Sequence, residues 1–202
     1  MLSTAQDESI SAIRAFANPW QRRSLKDFQR LASRVDWALN VYLLPQPGLL
    51  GVYNKMCCGS FPFQKLSVTI SKELTWLADH IERSDSVHII QSQEWSRSEV
   101  HTTFLCDACP GGMGYWSPPT CEGFICAISS DTHNSITSFE ALTVLSSLRH
   151  VCKSTFQNPH CLAILTDSSN TFDMFNTLHA LPAYNSILIT ATDLLITSGI
   201  QL

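Results

Sequence analysis

The hydrophobic period changes part-way along this chain, and that change constrains the fold more than any other feature. Through residues 1–85 apolar side chains recur every three or four positions, the spacing of one helix face. From residue 86 onward short runs alternate instead, with Gly and Pro between them, before helical spacing returns. A chain that starts helical, passes through short strands and then interleaves helix with strand fits neither a pure bundle nor a sandwich. It predicts an α/β domain with a mixed sheet and flanking helices, preceded by a mainly helical segment.

Within the first segment, Ser3 to Phe16 carries Ile10 and Ile13 at helical spacing, with Ala17 following, and Asn18-Pro19 ends the run. Ser24-Leu-Lys-Asp27 reads as a capping box. The helix behind it places Phe28, Leu31, Ala32, Val35, Ala38, Leu39 and Tyr42 on one face, and Pro45 and Pro47 break it. Pro47 to Met56 predicts a short helix. Ser71 predicts the cap of a further one, with Leu74, Leu77, Ala78 and Ile81 as its stripe. These stripes are packing surfaces first.

The second segment, 86–202, opens with a strand or lead-in at 87–91. Strands follow at Val100 to Cys106, from Tyr115-Trp116, and from Gly123, with Pro110 to Gly114 as a turn. A helix is predicted over Ser138 to Cys152 and a fourth strand over His160 to Thr166. Helices follow at Ser169 to Leu178 and Ala183 to Ser198, and Gly199 to Leu202 reads as the start of another strand.

Composition removes several classes. The net charge of −4 is not that of a freestanding nucleic-acid-binding domain, although Arg14, Arg22, Arg23, Lys26, Arg30 and Arg34 crowd near the start of the chain. No apolar run is long enough for a membrane span, and the N-terminus lacks the parts of a signal peptide. The expectation is an intracellular chain, in cytoplasm or nucleus, whose eight cysteines are reduced thiols. Cys106-x-x-Cys109 with Cys121 and Cys126 offers four thiolates for zinc, but the second pair is not a compact knuckle. Strand alternation sets Cys106 opposite Asp107, so Cys106 and Cys126 are expected as core thiols. His150, His160 and His179 are scattered, and no nucleophile elbow supports serine chemistry.

Three acids carry the chemistry. Asp107 stands at the expected end of a strand, Glu140 opens a helix, and Asp167 closes another strand. Each has a bland role available. Asp107 could start a turn, Thr137-Ser-Phe-Glu140 could be a capping box, and Asp167 could cap the helix that follows. Together, two strand-end carboxylates and one helix carboxylate can converge at the carboxyl edge of a sheet. Such a cluster repels itself unless a cation sits within it. Oxygen donors without imidazole favour Mg²⁺ or Mn²⁺ and metal-assisted phosphoryl chemistry.

Residues 102–202 resemble the ribonuclease H domain of a retroelement reverse transcriptase. The matching pieces are Leu105-Cys-Asp107-Ala-Cys-Pro-Gly-Gly-Met-Gly-Tyr-Trp, Phe139-Glu140-Ala-Leu, and Leu165-Thr-Asp167-Ser-Ser-Asn170. Upstream, Leu25 to Tyr42 is similar to the thumb and connection region of such elements. Trp76 to Asp85 and Leu181 to Asn185 resemble phrases of fungal retrotransposon polyproteins. The resemblance implies a thumb or connection-like segment over 1–85. It implies a ribonuclease H-like domain over 86–202, truncated before the last strand and helix. It further implies cleavage of RNA in RNA–DNA hybrids with Mg²⁺ or Mn²⁺ held by Asp107, Glu140 and Asp167, impaired by the truncation. Ser168, Ser169 and Asn170 would be substrate contacts, and the polymerase part of the same polyprotein a partner. No Tyr-x-Asp-Asp motif is present, so no polymerase activity is implied. The alternative implied is an inactive nucleic-acid or protein interaction module that keeps the fold.

Overall fold

The computed structural model describes residues 2–39, 44–57, 63–83, 97–128, 135–153 and 161–202. The candidate strand at 87–91, Tyr42 and His160 lie outside them. The chain divides into two compact units, Met1–Ser92 and Gln93–Leu202.

The described residues of the first unit form four α-helices: α1 (Leu2–Phe16), α2 (Leu25–Leu39), α3 (Leu50–Cys57) and α4 (Val68–Arg83). A two-stranded antiparallel ribbon, β1 (Arg22–Ser24) with β2 (Phe63–Lys65), ties the start of α2 to the approach of α4. One apolar cluster fills the interior, including Ile13, Phe28, Val35, Leu49, Val52, Leu74, Leu77 and Ile81. Phe16 and Phe28 meet edge to face at 5.2 Å between centroids. The stripe expected on α2 is the buried one, from Phe28 through Leu39.

The capping box at Ser24 forms. The Asp27 N–H donates to Ser24 Oγ at 3.2 Å, and the Ser24 N–H donates back to Asp27 Oδ2 at 2.9 Å. The Ser24 hydroxyl, its strongest donor, and that N–H hold the Asp27 carboxyl below its ordinary range. Ser24→Ala is expected to cost about 1 kcal/mol in the stability of this unit. A drop in the urea midpoint with unchanged slope would register it.

The cap expected at Ser71 lies one turn too late. α4 begins at Val68, and Ser67 Oγ accepts from the Ile70 N–H. Ser71 is already helical, and its hydroxyl donates to the Ala17 carbonyl just beyond α1. Both serines suit a cap, and tertiary packing of Ile70 selects the earlier one.

Among the described residues the second unit holds a four-stranded mixed sheet of β3 (Thr102–Cys109), β4 (Gly112–Ser117), β5 (Glu122–Ala127) and β6 (Leu162–Thr166), in the order β5-β4-β3-β6. β3, β4 and β5 form an antiparallel meander, and β6 lies parallel to β3. The connection from β5 to β6 contains α5 (Ile136–Lys153); α6 (Ser169–Thr177) and α7 (Asn185–Ser198) follow β6. The turn after β3 is tighter than the sequence suggested. Only Pro110 and Gly111 turn, and Gly112 to Gly114 already pair in β4. The expected strand at 199–202 is a single parallel bridge between Gln201 and Cys161, with the Leu162 N–H donating to the Gln201 carbonyl at 2.9 Å.

α5 is the centre of this unit. Phe139, Ala141, Val144, Leu145, Leu148 and Val151 are buried on it, and it packs on β3 and β4 and against α6 and α7. Its buried Thr143 and Ser147 return their hydroxyls to carbonyls one turn back, at Phe139 and Val144. Such back-bonding lets a helix be enclosed without orphaned hydroxyls. Alternation on β3 is strict. Phe104 and Cys106 are buried, while Leu105, Asp107 and Cys109 are exposed.

Candidate metal centre

Strand register brings the first two acids together. The last paired residues of β3 and β6 are Cys106 and Thr166. Asp107 and Asp167 are the residues that follow each, so a parallel ladder delivers two aspartates side by side where β6 stops. β3 continues to Cys109, so Asp107 is inside the strand rather than at its end, paired with Gly114 of β4. The absence of a side chain at 114 matters here, because a Cβ would lie 2.6 Å from the Phe124 carbonyl oxygen.

Glu140 completes the group from α5. β6 supplies no partner to β3 beyond Thr166, and the Ala108 N–H donates instead to Glu140 Oε1 at 3.2 Å. The helix carboxylate thus occupies the place a continued strand would have taken. That contact was not legible from residue types, because it uses a main-chain donor. One ligand oxygen from each of Asp107, Glu140 and Asp167 lies within 4.8 Å of the others. Among the described residues, this is the group of three or more acids, histidines or cysteines placed to share an ion.

The bland alternatives for two of these acids are corrected. α5 starts at Ile136 with Ser135 before it, whose carbonyl and hydroxyl receive the Ser138 N–H, so Thr137 is no cap and Glu140 no capping-box partner. The cap of α6 is Ser168, which accepts from the Thr171 N–H at 3.4 Å, leaving the Asp167 carboxylate out of that role. Ser168 is therefore committed to the helix start. Ser169 and Asn170 are exposed in its first turn, next to Asp167.

The electrostatics are unbalanced. Glu140 is 5% exposed, and its Oε2 is buried with no hydrogen-bond partner. Burial pushes its carboxyl above the usual range; the Ala108 N–H opposes this, and the charges of Asp107 and Asp167 add to it. Among the described residues no lysine, arginine or histidine forms an ion pair with any of the three. A buried carboxylate that keeps one oxygen unpartnered and lies among two further carboxylates is the arrangement a small hard divalent cation fits. Hard oxygen donors suit Mg²⁺ or Mn²⁺, and the three residues are equally suited to either.

The cysteines form no second centre among the described residues. Cys106 and Cys109 are three apart on a strand and so face opposite sides; Cys106 is buried and Cys109 exposed. Cys126 was expected in the core but is only half-buried, its thiol 3.5 Å from the Ala127 carbonyl oxygen. It sits on β5, the outermost strand of the sheet among the described residues. Burial pushes the Cys106 thiol up to about 11, with Ser147 opposing and Glu140 adding to the shift. Timed alkylation at pH 8 should therefore label Cys57, Cys109 and Cys121 well before Cys106. Equal rates at Cys106 and Cys109, read by peptide mass spectrometry, would contradict its burial.

No described helix is long and apolar enough to cross a membrane. Comparison with protein-family models, with curated proteins and with solved structures returns no match to this chain.

Proposed function

We propose that this chain derives from a retroelement reverse transcriptase and that its second unit hydrolyses the RNA strand of RNA–DNA hybrids at Asp107, Glu140 and Asp167. The observation that carries this reading is the convergence of three carboxylates, from two adjacent parallel strands and the helix packed on them, one of them a buried glutamate with an unpartnered oxygen. The retroelement resemblance of residues 102–202 supplies the substrate class, and the mixed sheet with its flanking helices is compatible with it. A bound Mg²⁺ or Mn²⁺ would supply Lewis acidity toward a phosphate oxygen and acidify a water at neutral pH.

The chain's own residues do the positioning. The ladder fixes Asp107 and Asp167 at one sheet edge, and Ala108 fixes the reach of Glu140. The reaction is hydrolysis of a phosphodiester. Water oxygen bonds to phosphorus, the bond from phosphorus to the 3′ oxygen breaks, the 3′ oxygen gains a proton and the water loses one. Selection of RNA requires contact with a 2′-hydroxyl. Ser169 and Asn170, exposed beside Asp167, are the residues we assign to it.

A second reading has one observation in its favour. On the sheet face opposite α5, Leu165, Leu105 and Trp116 form an exposed apolar row across β6, β3 and β4. A face of this kind suits an inactive interaction module. An end-labelled RNA–DNA hybrid separates the two readings. Mg²⁺-dependent shortening of the RNA strand, suppressed by EDTA and absent on duplex DNA, supports the nuclease. An intact hybrid under Mg²⁺ and Mn²⁺ supports the module.

A further inference from the structure

The first unit carries an unabsorbed feature on α2. Lys26, Arg30 and Arg34 recur every four residues, and Trp37 falls on the same face. All four are exposed, Trp37 at 55%. They line one groove between α1 and α2. Among the described residues none of the three cations makes an ion pair. Arg23, by contrast, is spent on structure, donating to the Ala15 carbonyl at 2.9 Å with its guanidinium over the Phe16 ring. The groove's carboxylates are Glu8 and Asp27, and Asp27 is held by Ser24.

A row of cations outside any salt bridge among the described residues, with Arg30 in the field of Asp27, on a chain of net charge −4 marks a local site for a polyanion. The helix rise spaces the three charges about 6 Å apart, so the row spans about 12 Å. An exposed indole on that stripe offers a π-face, which a base in a single strand can reach and a base inside a duplex cannot.

We propose that this groove binds single-stranded nucleic acid, with phosphates on Lys26, Arg30 and Arg34 and one base stacked on Trp37. The assignment is independent of the carboxylate centre and of the reaction assigned to it.

Fluorescence anisotropy of the full chain tests this in EDTA, which silences any metal-dependent site. The probes are a labelled single-stranded RNA and DNA of about 16 nucleotides and a duplex DNA of the same length, within the site sizes typical of single-strand binding. Single strands are expected to bind more tightly than duplex. The combined Lys26→Ala, Arg30→Ala and Arg34→Ala variant should bind at least tenfold more weakly. It should also lose about two units of log–log salt slope, the share of three single-strand phosphates. Trp37→Ala should weaken single-strand binding about tenfold and leave duplex binding unchanged. Removing three cations elsewhere in the unit, at Lys65, Lys72 and Arg83, should change little. Helix content by circular dichroism verifies that each variant is folded. Equal losses from both triple variants, duplex binding as tight as single-strand binding, or no effect of Trp37→Ala would each overturn the proposal.

Discussion

Asp107→Asn is expected to lower Mg²⁺-dependent cleavage of an RNA–DNA hybrid by about a hundredfold or more. Losing even an outer-shell partner of a metal ligand typically costs 10–100-fold, so losing a ligand takes that as a floor. The substitution changes charge and one donor atom while keeping shape. Asp107 is exposed and paired through its backbone with Gly114, so the sheet has no reason to change. The loss should therefore come without a fall in melting temperature in the absence of metal. A variant that cleaves as fast as the parent would remove Asp107 from the site. A variant that unfolds would show that the aspartate holds β3 in place.

Glu140→Gln is expected to do two opposite things. Without metal it should stabilise the second unit. Glu140 is buried beside two other carboxylates, and its folded-state affinity for a proton is raised. The sign follows from linkage. As pH rises past the ordinary glutamate value near 4.3, the unfolded chain loses this proton before the folded one does. Stability from this group therefore falls with pH until the raised folded value is passed, and the penalty is complete above it. Glutamine removes that slope and can still accept from Ala108. Like charges about 4 Å apart repel by about 1 kcal/mol in water and about 4 kcal/mol at a protein surface. A gain of at least about 1 kcal/mol at neutral pH is thus expected, roughly 4 °C or more in a unit of this size. With metal the order reverses. Mg²⁺ at a hundred times its dissociation constant should stabilise the parent by about 2.7 kcal/mol, and the variant by far less. Melting curves of both proteins at pH 4 and pH 7, with Mg²⁺ and with EDTA, contain the whole comparison. A destabilised, metal-responsive Glu140→Gln would refute the electrostatic account.

The acids could be read from the sequence because their identities and their order along strand, helix and strand are local facts. Convergence followed from sheet topology, since the parallel ladder of β3 and β6 ends at Cys106 and Thr166, one residue before each aspartate. What could not be read was whatever depends on a partner far along the chain. The length of β3 is set by its hairpin with β4, which recruits Gly112 and Gly114 from what looked like a turn. The caps at Ser67 and Ser135 compete with equally suitable residues nearby, and packing decides. The Ala108 contact to Glu140 uses a backbone N–H that no residue pattern announces. Cys126 has the apolar neighbours of a core residue, yet on β5, the outermost described strand, it is half-exposed.

The claim that these three carboxylates hold one divalent cation is tested most directly by anomalous diffraction from crystals soaked in Mn²⁺. A peak is expected within roughly 2.0–2.6 Å of an oxygen from each of Asp107, Glu140 and Asp167, the range of hard-cation oxygen bonds. Manganese bound elsewhere, with no peak among these oxygens at millimolar Mn²⁺, would contradict it.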